Sequence, residues 1–253
     1  MNSNPQDSTS VKRYGLAFHT STPELGLAIS NFADDSRCQV WNLGRSLATD
    51  LHQHLVEFIQ PQTWADLAFI AVAKGPGGFT GTRMGMVTAR TLAQQLDIPV
   101  FAISTLAAFA WAQPQPRAGT GAPPLQSEGL LELEPPQPRA GTGAPPLQSG
   151  GLFRDDIALQ MPTQRGQLFG AVYSVNKDSG LTELFPDTVM TAESWQEKLE
   201  SWENSYQLIE VGSELGLSVS SVLELAYLKW QQGSRPDWSD ALPYYGQHPV
   251  KGH

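Results

Sequence analysis

Four residues, Gly75-Pro76-Gly77-Gly78, separate an apolar run at 69–73 from about five turns of helix-compatible sequence at 79–96. A glycine loop ahead of a helix offers free main-chain N–H groups and the positive end of the helix dipole, an arrangement that suits phosphate. The spacing does not reproduce a Walker loop: no Gly-Lys-Ser/Thr follows, and Lys74 precedes the loop. The dinucleotide pattern is matched only in part, because Thr80 stands at its third glycine position. Nucleotide binding is therefore open on this pattern, beside a structural use of the glycines. A second regularity bears on that choice. Gly81, Gly85, Ala89 and Ala93 recur every four residues and form one row of small side chains. Each glycine in a helix costs roughly 1 kcal/mol relative to alanine, so a close neighbour must compensate, and packing on the chain's own sheet is expected.

Other chemistry is sparse. Asp50 and His54, four apart, share a helix face while His52 points elsewhere; a metal pair is conceivable, a solvated face more economical. Ser21, Ser46 and Ser104 lack the G-x-S-x-G context of a hydrolase nucleophile. The single cysteine, Cys38, excludes an intramolecular disulfide framework and a cysteine-based zinc site. A net charge of −9 argues against gripping nucleic acid by bulk electrostatics, so an RNA partner would be met through a local patch or another subunit. No apolar run reaches the length of a membrane span and the N-terminus has no signal-like core, so a soluble cytoplasmic protein is expected.

These residues need elements to position them. Runs of apolar and β-type residues predict strands at 14–18, 26–32, 39–42, 69–73 and 100–103, with helices at 43–59, 79–96 and 105–112, the last behind Ser104 as cap. Three strands that can meander and two that need crossovers make a mixed sheet covered by helices. Residues 114–127 read PQPRAGTGAPPLQS and recur letter for letter at 136–149. Their Pro, Gly and Gln content predicts a disordered insertion, with a Pro-rich docking segment as the alternative. Beyond it, strands at 157–160, 168–175, 184–191 and 207–211 and helices at 193–202 and 218–231 predict a smaller α/β lobe, ending in a surface tail at 236–253. The organisation is thus a loose tail at 1–12, a first lobe at 13–112, the insertion at 113–153 and a second lobe at 154–253.

The run from Gly75 to Gly85, GPGGFTGTRMG, resembles the GPGSFTGxRxG signature of the TsaB (YeaZ) family, bacterial partners in tRNA threonylcarbamoyladenosine synthesis. His19-Thr20-Ser21-Thr22 resembles that family's DTST at the end of the first strand, and 103–106 its VSTL. Gly166-Gln167-Leu168-Phe169 is a fainter echo of its RxGEVY. The resemblance implies an α/β actin and sugar-kinase-like, ribonuclease-H-like fold of two lobes with mixed sheets. It implies a non-catalytic accessory subunit that pairs with a TsaD-type catalytic subunit through first-lobe helices, works with a TsaE-type ATPase, and meets tRNA only within the complex. ATP and Mg would be used by the complex, with no cofactor bound tightly here. TsaD-type relatives carry metal-binding histidines on the helix after the fifth strand; here 105–111 has neither histidine nor carboxylate, so no metal is expected.

On this reading His19, Thr20, Ser21, Thr22, Gly75, Gly77, Gly78 and Thr80 form a vestigial nucleotide loop. Leu47, Leu51, Leu55 and Met86 would be the apolar centre of the partner face, with Arg83 and Arg90 as its polar contacts, and the same face could support a homodimer when the partner is missing. Several positions depart from the family pattern. His19 replaces an Asp that helps hold Mg²⁺ in ATP-using relatives, and its simplest role is a hydrogen-bonded histidine at a strand end. Gly78 replaces Ser, and Pro162-Thr163-Gln164 replaces Asp-Ala-Arg. A small-molecule kinase or ATPase of the same superfold is the rival expectation; a peptidase, known only from older family naming, finds no nucleophile or metal constellation.

Overall fold

The computed structural model describes residues 14–114, 155–163, 166–176 and 179–246. The expected tail at 1–12, nearly all of the insertion at 113–153, Gln164 and residues 247–253 lie outside them.

The first sheet has the order β3-β2-β1-β4-β5. β1 (Tyr14–His19), β2 (Glu24–Ser30) and β3 (Ser36–Asn42) form an antiparallel meander. β4 (Leu67–Ala73) and β5 (Val100–Ile103) add in parallel. Parallel neighbours need crossovers, and α1 (Leu47–Phe58) and α2 (Phe79–Leu96) supply them. All of β4 is buried, as a central strand covered on both faces requires. One face carries Leu16, Phe18, Ile70 and Val72 against Leu51, Leu55 and Met86 of α1 and α2. The opposite face carries Ala17, Phe69, Ala71 and Phe101.

The second sheet has the order β8-β7-β6-β9. It comprises β6 (Asp156–Pro162), β7 (Leu168–Asn176), β8 (Gly180–Met190) and β9 (Tyr206–Glu210). β6 and β9 are parallel, and α4 (Ala192–Glu200) bridges from β8 to β9, burying Trp195 and Leu199 against Ala158, Leu168 and Val172. Ile157, Leu159, Ala171 and Tyr173 of this sheet share a core with Ala17, Phe69 and Phe101 of the first, and α3 (Thr105–Ala112) lies in that shared layer.

Two placements differ from the sequence expectation. α5 (Val219–Gln231), which follows the second sheet in the chain, packs mainly on β1, β2 and β4 of the first. Its Val222, Leu223 and Ala226 would suit any apolar face, but missing side chains on the strands decide which one. A Cβ on Gly26 would lie 2.2 Å from the Gly216 carbonyl oxygen, and one on Gly15 would meet Phe69 and Leu223. The stretch at 236–246 is not a surface tail. Trp238 packs beside α2 with the Arg90 guanidinium 5.8 Å from its ring centroid, Ala241 is buried, and the Tyr244 N–H donates to the Lys74 carbonyl at 2.6 Å. Among the described residues no helix is long and apolar enough to cross a membrane.

Candidate functional site

β1 ends at His19, and the turn that follows lies directly on the glycine loop. The Gly78 N–H donates to the Ser21 carbonyl at 2.7 Å, and the Thr20 hydroxyl donates to the Gly81 carbonyl at 2.8 Å. No side chain fits between them. A Cβ on Gly77 would sit 2.3 Å from the Ser21 carbonyl oxygen, one on Gly81 2.1 Å from the Thr20 carbonyl oxygen, and one on Gly85 2.1 Å from the Thr20 hydroxyl. Ala89 and Ala93 continue the row into the core. The small-residue stripe is thus a seat for the β1–β2 turn as well as for the sheet.

The loop is held from two further directions. Gly75, in the left-handed region at φ +101°, accepts from the Thr105 N–H at 2.8 Å at the start of α3. A Cβ on Gly75 would meet the Tyr244 carbonyl oxygen at 2.5 Å. The structure therefore brings together His19, Thr20, Ser21, Thr22, Gly75, Gly77, Gly78 and Thr80. The first five are buried, while Gly77, Gly78 and Thr80 reach the surface. Beside them Phe79 is exposed, its ring 4.7 Å from that of Tyr245.

His19 corrects the expectation of a hydrogen-bonded histidine. It is fully buried and among the described residues neither ring nitrogen has a hydrogen-bond partner, so burial pushes its pKa down to about 4 and the imidazole is neutral at pH 7. The hydroxyls of Thr22, Thr82 and Thr105 are likewise buried without partners among the described residues. Position 19 offers no oxygen for Mg²⁺.

A polar cluster that the sequence did not disclose lies at the junction of the two sheets. Ser104 caps α3, accepting from the Ala107 N–H at 3.1 Å, and its hydroxyl donates to Asp187 Oδ2 at 2.6 Å. The Tyr173 hydroxyl donates to Asp187 Oδ1 at 2.6 Å, and the Tyr244 hydroxyl donates to the Asp187 carbonyl. Burial raises the Asp187 pKa, against the lowering influence of Ser104, Tyr173 and the Lys74 charge. Burial and the Asp187 charge also raise Tyr173, and push Tyr244 up to about 12. Asp187 follows Pro186 within β8 and carried no local signal.

The expected interface residues are redistributed. Leu47, Leu51, Leu55 and Met86 are buried in the protein's own core, because the apolar stripes of α1 and α2 face the sheet. Arg83 is exposed, whereas Arg90 is half-buried under Trp238. The outer faces of these helices present Val56 and Val87, each more than half exposed. Near them the His54 ring packs at 4.5 Å on Trp41. Among the described residues no three His, Cys, Asp or Glu are grouped to hold a metal.

A two-sheet α/β body with a glycine loop closed by the β1–β2 turn is the actin and sugar-kinase-like fold. YeaZ from Pseudomonas aeruginosa superposes with a TM-score of 0.64 over 92% of this chain and 100% of that one, at 17% identity, which supports the fold alone. Residues 55–125 match the family model described as TsaD: tRNA N6-adenosine threonylcarbamoyltransferase. The "tRNA threonylcarbamoyladenosine biosynthesis protein TsaB" of Bacillus subtilis is 56% identical over 45 residues, 18% of this chain and 20% of that protein. Its namesake from Buchnera aphidicola subsp. Acyrthosiphon pisum is 22% identical over 179 residues, 71% of this chain and 63% of that protein. The matched stretches thus span 20% and 63% of these two relatives, less than two thirds of either. The chain is similar to proteins of the TsaB (YeaZ) family over part of its length.

Two expectations follow. Gly81→Ala, which gains helix propensity, should nevertheless lower stability by about 2–3 kcal/mol through the clash with Thr20, while Gly78→Ala, whose Cβ would clear its nearest neighbour by 3.6 Å, should change it by less than about 0.5 kcal/mol in urea denaturation. His19 is protonated near pH 4 when folded and near its ordinary value of 6.5 when unfolded, so the unfolded state holds more protons between those values. Stability should therefore fall as pH drops from 6.5 to 4, by on the order of 3 kcal/mol from this group. Comparing denaturation at pH 7.5 and 4.5, His19→Asn should remove most of that slope; an unchanged slope would refute the assignment.

Proposed function

We propose that this chain is a non-catalytic accessory subunit in the synthesis of threonylcarbamoyladenosine on bacterial tRNA. The observation that carries the reading is the glycine loop itself: its sequence is family-like, and its glycines accommodate the protein's own Thr20, Ser21 and Tyr244 backbone. A loop built around such internal contacts suits a subunit that serves another's active site. On this proposal a TsaD-type subunit performs the transfer, a TsaE-type ATPase accompanies it, and ATP, Mg and tRNA engage the assembly in the cytoplasm.

The partner face we assign is the outer side of α1 and α2, with Val56 and Val87 as apolar contacts and Arg83 as the charged one. Exposed apolar side chains beside a charge fit a heteromeric interface, and the same surface would support self-association when the partner is missing.

Reconstitution of the modification from purified TsaC-, TsaD- and TsaE-type proteins tests the proposal. Threonylcarbamoylated tRNA should form with this chain and fall to background without it; full modification in its absence would overturn the accessory role. Arg83→Glu should leave thermal stability unchanged and weaken TsaD-type binding about tenfold in calorimetry. Arg90→Glu should instead lower stability, because it removes the cation over Trp238.

A further inference from the structure

β5 is the edge strand of the first sheet, and a cavity of about 360 Å³ lies along it. Lys74, at the end of β4, and Lys229, in the last turn of α5, both line this cavity, together with Ser234 and the segment from Asp240 to Leu242. The two lysines come from distant parts of the chain, yet no ion pair joins either to a carboxylate among the described residues. The main chain adds donors. Ile70 and Lys74 donate to the Pro99 and Ile103 carbonyls, which fixes the strand alternation and turns the N–H groups of Val100 and Ala102 toward the open edge. Partial burial and the charge of Lys74 lower the Lys229 pKa. Asp240 opposes them from the same lining, the Glu183 charge counters the lowering of the Lys229 pKa, and the Lys74 charge is felt by Asp187.

We propose that the cavity between β5 and the Ser234–Leu242 segment is a binding site for a phosphate dianion, free or as a monoester, held by Lys74 and Lys229. Two point-charge ammoniums match a dianion better than a single carboxylate, and the Ser234 hydroxyl and the outward strand-edge N–H groups suit the remaining oxygens. Its lining borders the glycine loop only at Lys74, and the proposal does not rest on the accessory-subunit reading.

Inorganic phosphate is the probe, titrated into the full ¹⁵N-labelled chain at constant ionic strength, with sodium acetate as the control. Phosphate should shift the Val100, Ala102 and Ser234 amides saturably, and acetate should not. Lys229→Ala, altered at an exposed residue of the lining, should weaken binding at least about fivefold, and Asp240→Asn should tighten it by about twofold or more. Lys74→Ala should behave like Lys229→Ala, with far-UV circular dichroism checking its fold. No phosphate-specific shift, an equal response to acetate, or unchanged affinity in Lys229→Ala would each overturn the site. None of these readouts involves tRNA modification, so failure here and failure of the accessory role are separate results.

Discussion

The structure depends on one backbone-to-backbone contact, the seating of the Thr20–Ser21 turn against Gly77, Gly81 and Gly85. At these positions a methyl group would fall 2.1–2.3 Å from an oxygen of the turn. Glycine in a helix sacrifices stability locally, and the return here is a tightly packed first lobe. The contact fixes the end of β1 relative to the start of α2, and so fixes the crossover that brings β4 and β5 into the sheet. It also explains how a sequence with the outline of a phosphate loop comes to be filled with its own main chain.

Around that contact the chain closes on itself through remote segments. Tyr244 reaches back to the Lys74 carbonyl and, through its hydroxyl, to Asp187; Ser104 and Tyr173 join the Asp187 carboxylate from the two sheets. The buried carboxylate is tolerated because its oxygens accept hydrogen bonds, although burial still leaves its pKa raised. His19 is the opposite case: an imidazole with no hydrogen-bond partner among the described residues, tolerated because it is neutral. The two groups show how the junction handles polarity, by pairing an acid and by keeping a base uncharged.

The helical face illustrates a different constraint. The amphipathic stripe Leu47, Leu51, Leu55 announces α1 from sequence, but periodicity shows only that a stripe will be covered. The covering surface is the protein's own sheet, and what remains for another molecule is the opposite side, with Val56, Arg83 and Val87. The charged pair expected there separates for a similar reason: Trp238, far along the chain, lies over Arg90 and leaves Arg83 open.

The sequence by itself determined what depends on local chemistry. Runs of apolar and β-type residues specified strands β1 to β5 to within a few residues, the four-residue spacing of small side chains marked the close-packing face of α2, and Ser104 marked the start of α3. The order of these elements, with a short signature at 75–85, sufficed to indicate the fold class. Only the tertiary structure decided which surfaces meet. α5 carries an apolar face that two sheets could equally have received, and the glycines at 15 and 26 select the first. Asp187 is one acidic residue among many until Ser104 and Tyr173 converge on it, and Lys74 and Lys229 become a pair only when α5 is placed beside β5. Periodicity is written within a few turns of chain, whereas contacts between residues a hundred apart depend on which close approaches sterics permits.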